Sequence, residues 1–308
     1  MRLNSENVAF GRHETFPLRF SWIPKGVRAL ERDPKVFEEP DSTVRLGVGR
    51  NMVNSIRYWL RASGVIESGS YEFTELGKQI FASDNGWDPY LEDEGTIWLL
   101  HWLIASNAEL ATSIFWFFNR FQKTEFTSDE LMTALGDFCK EFVVSHRRPA
   151  RNTLKSDVGV IPRMYTQSKI TNRMPLEEAL DSPFSVLKLV EHKAGDKLFV
   201  SRFAERPNLP IEILGFAIFS VMNARNVTIV PLEDLMHNKE GFVVPGAVFR
   251  LSESDFVRKL ELLVERESSS IDIRESNGIH QIFLKEAIDP SRLLKDYYER
   301  AEGTEEAA

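Results

Sequence analysis

Residues 43–81, TVRLGVGRNMVNSIRYWLRASGVIESGSYEFTELGKQIF, leave the backbone few choices. Gly47 and Gly49 separate a short helical stretch from a longer one, and Gly64 supplies the stop for the second. Asp41 or Ser42 stands where the first helix needs a cap. Two short extended pieces then flank a Gly-Ser turn, and Thr74 is placed to cap a further helix. Helix, turn, helix, short wing and closing helix is the order of a winged helix-turn-helix. The expected N-terminal domain, 1–84, is therefore a DNA-binding domain, entered through FPLRFSWIPKGVRALE with a helix after Pro24.

The longer helix of that run, from Arg50 to Ser63, carries two faces. Met52, Val53, Ile56, Trp59 and Leu60 recur at helical spacing on one side, while Arg50, Asn54, Arg57 and Arg61 fall on another, with Asn51 beside them. Arginine can pair with guanine and asparagine with adenine in a major groove, and flanking arginines hold phosphates. Arg45, before the turn, is placed to reach a phosphate. The competing reading of the same stripe is a solvated basic helix face.

The remaining chain reads as mainly α with small β wings. Residues 85–145 form an expected helical middle domain, in which Thr127 and Glu130 make a capping-box pair and Leu131, Leu135, Phe138 and Phe142 one apolar stripe. Residues 146–174 are an expected basic connector, with Arg147, Arg148, Arg151, Lys155, Arg163, Lys169 and Arg173 against a single acid, Asp157. Such a run can track a nucleic-acid backbone or pair with the acidic middle domain. Residues 175–308 read as a C-terminal winged-helix-like domain with an acidic tail. It has a strand in DKLFVSRF, helices in PIEILGFAIFSVMNAR and SESDFVRKLELLVERES, and a hairpin turning at Asn277-Gly278.

A net charge of -8 argues against indiscriminate coating of nucleic acid, so DNA affinity has to come from local basic patches. The lone Cys139 excludes an intramolecular disulfide and a thiolate-based zinc site, and reads as core in a reducing cytoplasm. The start lacks a secretory pattern and IWLLHWLIAS is too short to span a bilayer, so no membrane association is expected.

Several residues could carry chemistry. His13 beside Glu14 could act as acid and base or bind a metal, with Arg12 as catalytic phosphate clamp and Arg19 nearby. Neighbours on a strand point to opposite faces, so a structural tie is the alternative. Asp88, Glu92, Asp93 and Glu94 in WDPYLEDEGTIW could hold Mg²⁺ for phosphodiester chemistry, or could simply complement a helix dipole. The metal set so expected is Glu14, Asp88, Glu92 and Asp93. His101 reads as a core residue satisfied by a neighbour. Walker, GxGxxG, HExxH and GxSxG patterns are absent, which disfavours nucleotide hydrolysis, redox and acyl-transfer chemistry.

Through FGRHETFPLRFSWIPKG, TVRLGVGRNMVNSIRYW, WDPYLEDEGTIWLLHW and RNTLKSDV, the sequence resembles a bacterial family long catalogued as of unknown function. That family is associated with DNA phosphorothioation gene clusters, beside a cysteine desulfurase and a reductase-like ATP pyrophosphatase. The resemblance covers most of the chain and is weakest after Pro175. It implies a DNA-nicking protein that works with a desulfurase, an ATPase and a sulfur-activating partner to place sulfur in the DNA backbone. Two alternatives stay open beside a Mg²⁺-dependent nickase on double-stranded DNA: a non-catalytic DNA-binding adaptor or regulator, and a protein-interaction scaffold.

Overall fold

A computed structural model describes residues 1–167, 182–193, 197–237, 241–276 and 279–305. The chain is mainly helical with two small antiparallel sheets, and it divides into two compact units. One comprises Asn4–Phe117 with Phe121–Arg202, the other Met1–Leu3, Phe118–Arg120 and Phe203–Ala308.

In the first unit, α1 (Trp22–Arg32), α2 (Ser42–Leu46) and α3 (Arg50–Ala62) follow one another and pack together. Helix α1 starts two residues before the expected Pro24, which sits in the first turn, where a missing N–H leaves no helical bond unmade. Ile23, Val27 and Leu30 form its buried face. Between α2 and α3 the chain turns through Gly47 at φ 64°, a left-handed geometry that favours glycine. Val53, Ile56, Trp59 and Leu60 of α3 are buried, as the stripe in the sequence implies. After Gly64 the chain forms one antiparallel bridge, Ile66 to Phe73, and Thr74 caps α4 (Glu75–Phe81) by accepting from the Gly77 amide at 2.9 Å. Gly77 is obligatory for close packing, because a Cβ there would meet the Val65 carbonyl oxygen at 2.1 Å.

Helix α5 (Glu94–Ala105) is apolar around most of its circumference and correspondingly buried. Its His101 meets the Tyr165 hydroxyl at 2.9 Å through Nδ1, a core histidine with a partner. Helix α6 (Thr112–Asn119) leads to β1 (Glu125–Thr127) and α7 (Ser128–Phe142). Both halves of the Thr127–Glu130 capping box form. Leu131, Leu135 and Phe138 are buried, while Phe142 at the C-terminal end of the stripe is 36% exposed. Burial pushes the Cys139 thiol up to about 12. Strands β1, β2 (Glu191–His192) and β3 (Leu198–Val200) pair antiparallel in the order β1-β3-β2.

The stretch expected as a basic connector folds, over Arg151–Tyr165, into helix α8. Leu154, Val158, Ile161 and Tyr165 recur at helical spacing and are buried, so the segment has a packing face beneath its basic one. Lys169 and Arg173 lie outside the described residues, as does the expected Asn277-Gly278 turn.

The second unit places α9 (Ile211–Arg225) against α12 (Glu253–Arg266) and α13 (Pro290–Glu305). Short helices α10 (Leu232–Met236) and α11 (Pro245–Val248) precede α12. Strands β4 (Ile229–Pro231), β5 (Ile271–Ser276) and β6 (Ile279–Leu284) form an antiparallel sheet of order β4-β6-β5. Glu212 is buried on α9 and paired with Arg266 and with Arg300, the latter at 2.5 Å. Among the described residues no helix is long and apolar enough to cross a membrane.

Candidate functional site

The loop Gly11–Thr15 of the first unit gathers three positive-φ residues in five positions. Gly11, Glu14 and Thr15 have φ of 70°, 49° and 68°, and holding a non-glycine residue there costs on the order of 1 kcal/mol or more. A carboxylate from α8 supports it. Asp157 is fully buried, and its Oδ1 accepts from the Gly11 amide at 2.8 Å and from His13 Nε2 at 2.7 Å. The Thr15 amide donates to His13 Nδ1 at 3.2 Å, which assigns the ring proton to Nε2. The His13 carbonyl accepts from Ser55 of α3 at 3.1 Å and from the Phe16 amide at 2.8 Å, and Arg163 donates to the Thr15 carbonyl at 2.8 Å. Both nitrogens of His13 are thus engaged and the residue is 4% exposed.

Arg12 and Glu14, the neighbours of His13, instead line an open groove of about 1000 Å³. Its other walls are α3, through Asn54, Arg57, Tyr58 and Arg61, and the segment from His146 to α8, through Arg147, Asn152 and Ser156. Arg57 donates to the Tyr71 hydroxyl at 3.5 Å and to Asn54 Oδ1 at 3.4 Å, while Arg61 donates to the Ser70 carbonyl at 3.3 Å. Arg61 also lies 5.1 Å from the centroid of the Tyr71 ring. These hydrogen-bond partners are neutral groups at long distances, so none of these contacts is an ion pair.

Tyr58 donates to the Leu110 carbonyl at 3.0 Å. Desolvation, and next the negative Asp157, push its hydroxyl pKa up, against a smaller opposing pull from Arg12. Asp157 Oδ2 and the adjacent Ser156 Oγ are buried without a hydrogen-bond partner.

The other candidate residues sit in different environments. Arg50 donates to Ser42 Oγ at 2.9 Å, and Asn51 is exposed. Arg45 is committed to ion pairs with Asp33 and, at 2.9 Å, with Asp41, and those hydrogen bonds raise its pKa. Arg148 donates to the carbonyls of Val143 at 2.9 Å and Lys140 at 2.5 Å, closing the C-terminal end of α7. Arg151 and Lys155 are exposed one turn apart on α8.

Buried Asp88 accepts from the amides of Glu92 at 2.8 Å and Asp93 at 3.0 Å, and Asp93 caps α5 by accepting from the Thr96 amide at 2.9 Å. Glu92 is exposed. Among the described residues no group of three or more His, Cys, Asp or Glu side chains is arranged to hold a metal ion. Glu14, Asp88, Glu92 and Asp93 therefore do not assemble into one ligand set. Asp88 gives both oxygens to amides of its own turn, and Asp93 gives Oδ1 to the start of α5.

Asp157, Tyr58 and Asn152 were not singled out for chemistry in the sequence. The signal available was the isolation of Asp157 as the one acid in a basic stretch.

Fold and groove together define a mainly helical two-unit protein whose first unit presents a cationic concavity held by a buried aspartate. The chain belongs to the family described as Protein of unknown function (DUF4007), whose model matches residues 10–298. It is similar to SspB in two crystal structures. The magnesium ion-bound structure of SspB gives a TM-score of 0.82 at 27% identity, covering 97% of this chain and 89% of that one. The other SspB crystal structure gives 0.80 at the same 27% identity, with the same 97% and 89% coverage. No curated protein matches the sequence.

Proposed function

We propose that this protein is a DNA-binding component of a phosphorothioation system, and that the groove between Asn7–Thr15, α3 and α8 receives a sugar-phosphate backbone. The observation that carries this reading is the convergence of Arg12, Arg57, Arg61 and Arg147 on one concavity. A phosphodiester chain is the polymer whose repeating charge fits such a lining. The reading takes residues 1–84 as a winged helix, with α3 toward the duplex and the bridged Ile66–Phe73 turn as wing. The second unit follows a comparable order, with its β4-β6-β5 sheet as strand and wing. The implied partners are double-stranded DNA, a cysteine desulfurase, an ATPase and an ATP-pyrophosphatase-type sulfur-transfer protein.

Strand nicking is the further step of this proposal, and the strained Glu14 favours it. Strain of this kind collects at functional sites, and here it holds a carboxylate beside arginines. Magnesium needs only one or two carboxylates when substrate phosphates complete its shell. Glu14 and Glu109, which both line the groove, are the residues that would hold it. The ion would polarise the phosphoryl oxygens. Arg12 binds and orients the phosphate, and Asp157 with His13 keeps the loop in place.

Supercoiled plasmid incubated with the protein and Mg²⁺ tests both levels. The expected result is open-circular product lost in Glu14→Ala, with a mobility shift that Glu14→Ala retains and an Arg57→Ala, Arg61→Ala double variant weakens. A metal-independent shift without strand breakage removes the nicking step and leaves a DNA-binding adaptor. No shift at all removes the whole proposal.

A further inference from the structure

A second concavity of the first unit shares no lining residue with the groove. It measures about 790 Å³ and lies between the exposed face of α1, the turn before α2 and the loop that carries Tyr90. That volume is in the range of small-ligand sites. Its floor is apolar, with Phe20, Pro24 and Val36. Along one wall run Lys25, Arg28 and Arg32, which helical spacing places on a single face of α1, opposite the packed Ile23, Val27 and Leu30.

The opposite wall is built by the acidic turn. Asp88 takes the Glu92 and Asp93 amides, and the turn so fixed puts Leu91, a buried non-glycine residue, at φ 60°. Leu91 in the core and Tyr90 outside are one consequence of that turn, and Tyr90 is left 57% exposed. The Arg28 guanidinium stands 4.5 Å from the Tyr90 ring centroid, so one cation already uses the ring as a plate.

We propose that this pocket binds a nucleotide unit, with the base against Tyr90 and the phosphate on the Arg28–Arg32 side of α1. An aromatic plate beside a row of cations, over an apolar floor, is complementary to a ligand that is planar at one end and anionic at the other. Stacking of a base on an aromatic side chain tolerates any base, because every base has a π-face. Of the acids at the rim, Asp33 is paired with Arg45 and Glu92 reaches solvent. The same chemistry comes from a free nucleoside phosphate or from an unpaired nucleotide of a single strand. Double-stranded DNA does not offer it, because its bases are stacked on each other. The pocket is therefore independent of the backbone groove proposed above.

Isothermal titration of the full chain with deoxyadenosine monophosphate, and separately with a short unstructured oligothymidylate, tests the site. Binding of either ligand is expected to weaken about tenfold in Tyr90→Ala, in line with the loss of one stacking contact, and to be retained in Tyr90→Phe. Arg32→Ala is expected to weaken it as well. Binding of the monophosphate assigns a free nucleotide, and binding of the oligonucleotide alone assigns an unpaired strand. Arg57→Ala with Arg61→Ala is expected to leave monophosphate binding unchanged, which separates failure here from failure of the groove. The proposal is overturned if neither ligand binds the wild-type protein, or if Tyr90→Ala, folded by circular dichroism, binds both as well as wild type does.

Discussion

Asp157 and Asp88 each brace a turn that contains a left-handed residue, but from different distances. Asp157 reaches its loop from another helix, across 144 and 146 residues of chain, and takes a histidine as well as an amide. Asp88 binds amides four and five residues further along its own turn. The remote brace is part of the tertiary core and presents Arg12 and Glu14 to one concavity. The local brace is a turn motif and presents Tyr90 to another. A buried carboxylate here serves as scaffold for the side chains beside it, and the residues meeting solvent are one position away from those that are fixed.

The largest effect expected from breaking this comparison is that of Asp157→Ala. It strands the Gly11 amide and His13 Nε2–H in the interior, with an expected cost of about 3 kcal/mol in chemical denaturation. Asp157→Asn, which keeps an acceptor, is expected to lose less. Asp88→Ala comes next at about 1–2 kcal/mol, the order of a lost cap or turn hydrogen bond. Equal losses at the two positions would contradict the distinction between remote and local bracing.

Arginine substitutions sharpen the comparison at the level of charge. Arg57→Ala is expected to weaken duplex DNA binding, whereas Arg45→Ala is expected to leave it nearly unchanged, because Asp33 and Asp41 already occupy that guanidinium. A quantitative mobility-shift series with the two variants side by side checks this. The reverse order would place the DNA on α2 and not in the groove.

The smallest effect concerns Glu130, an exposed carboxylate with no loop to brace. Its pKa is lowered from 4.5 to about 2, first by the Lys123 hydrogen bond and then by the Thr127 amide. A depressed carboxylate contributes stability that is present above the unfolded value and lost as pH falls through the folded one. Thermal melts of wild type are therefore expected to lose a small increment between pH 4.5 and about 2 that Glu130→Gln does not show. High salt should shrink it.

What could be read from the sequence was local. The capping box at Thr127 and Glu130, the glycine stop at Gly64 and the packed face of α3 each follow from residues within a few positions of one another. The Asp157–His13 contact joins residues too far apart for spacing to reveal, and the pairing of β3 with β1 has the same character. Helix α8 was hidden by its charge, since the basic residues obscured the Leu154, Val158 and Ile161 pattern. The acidic run at Asp88 left two readings open for a different reason: composition alone does not distinguish oxygens that face amides of their own turn from a ligand set.

A salt titration of duplex DNA affinity is the most direct check on the groove. For wild type, the logarithm of affinity should fall linearly with the logarithm of salt concentration, and removing Arg57 and Arg61 together should flatten that slope by about 2, one phosphate contact for each arginine. A slope identical in wild type and the double variant would show that the concavity does not hold the backbone.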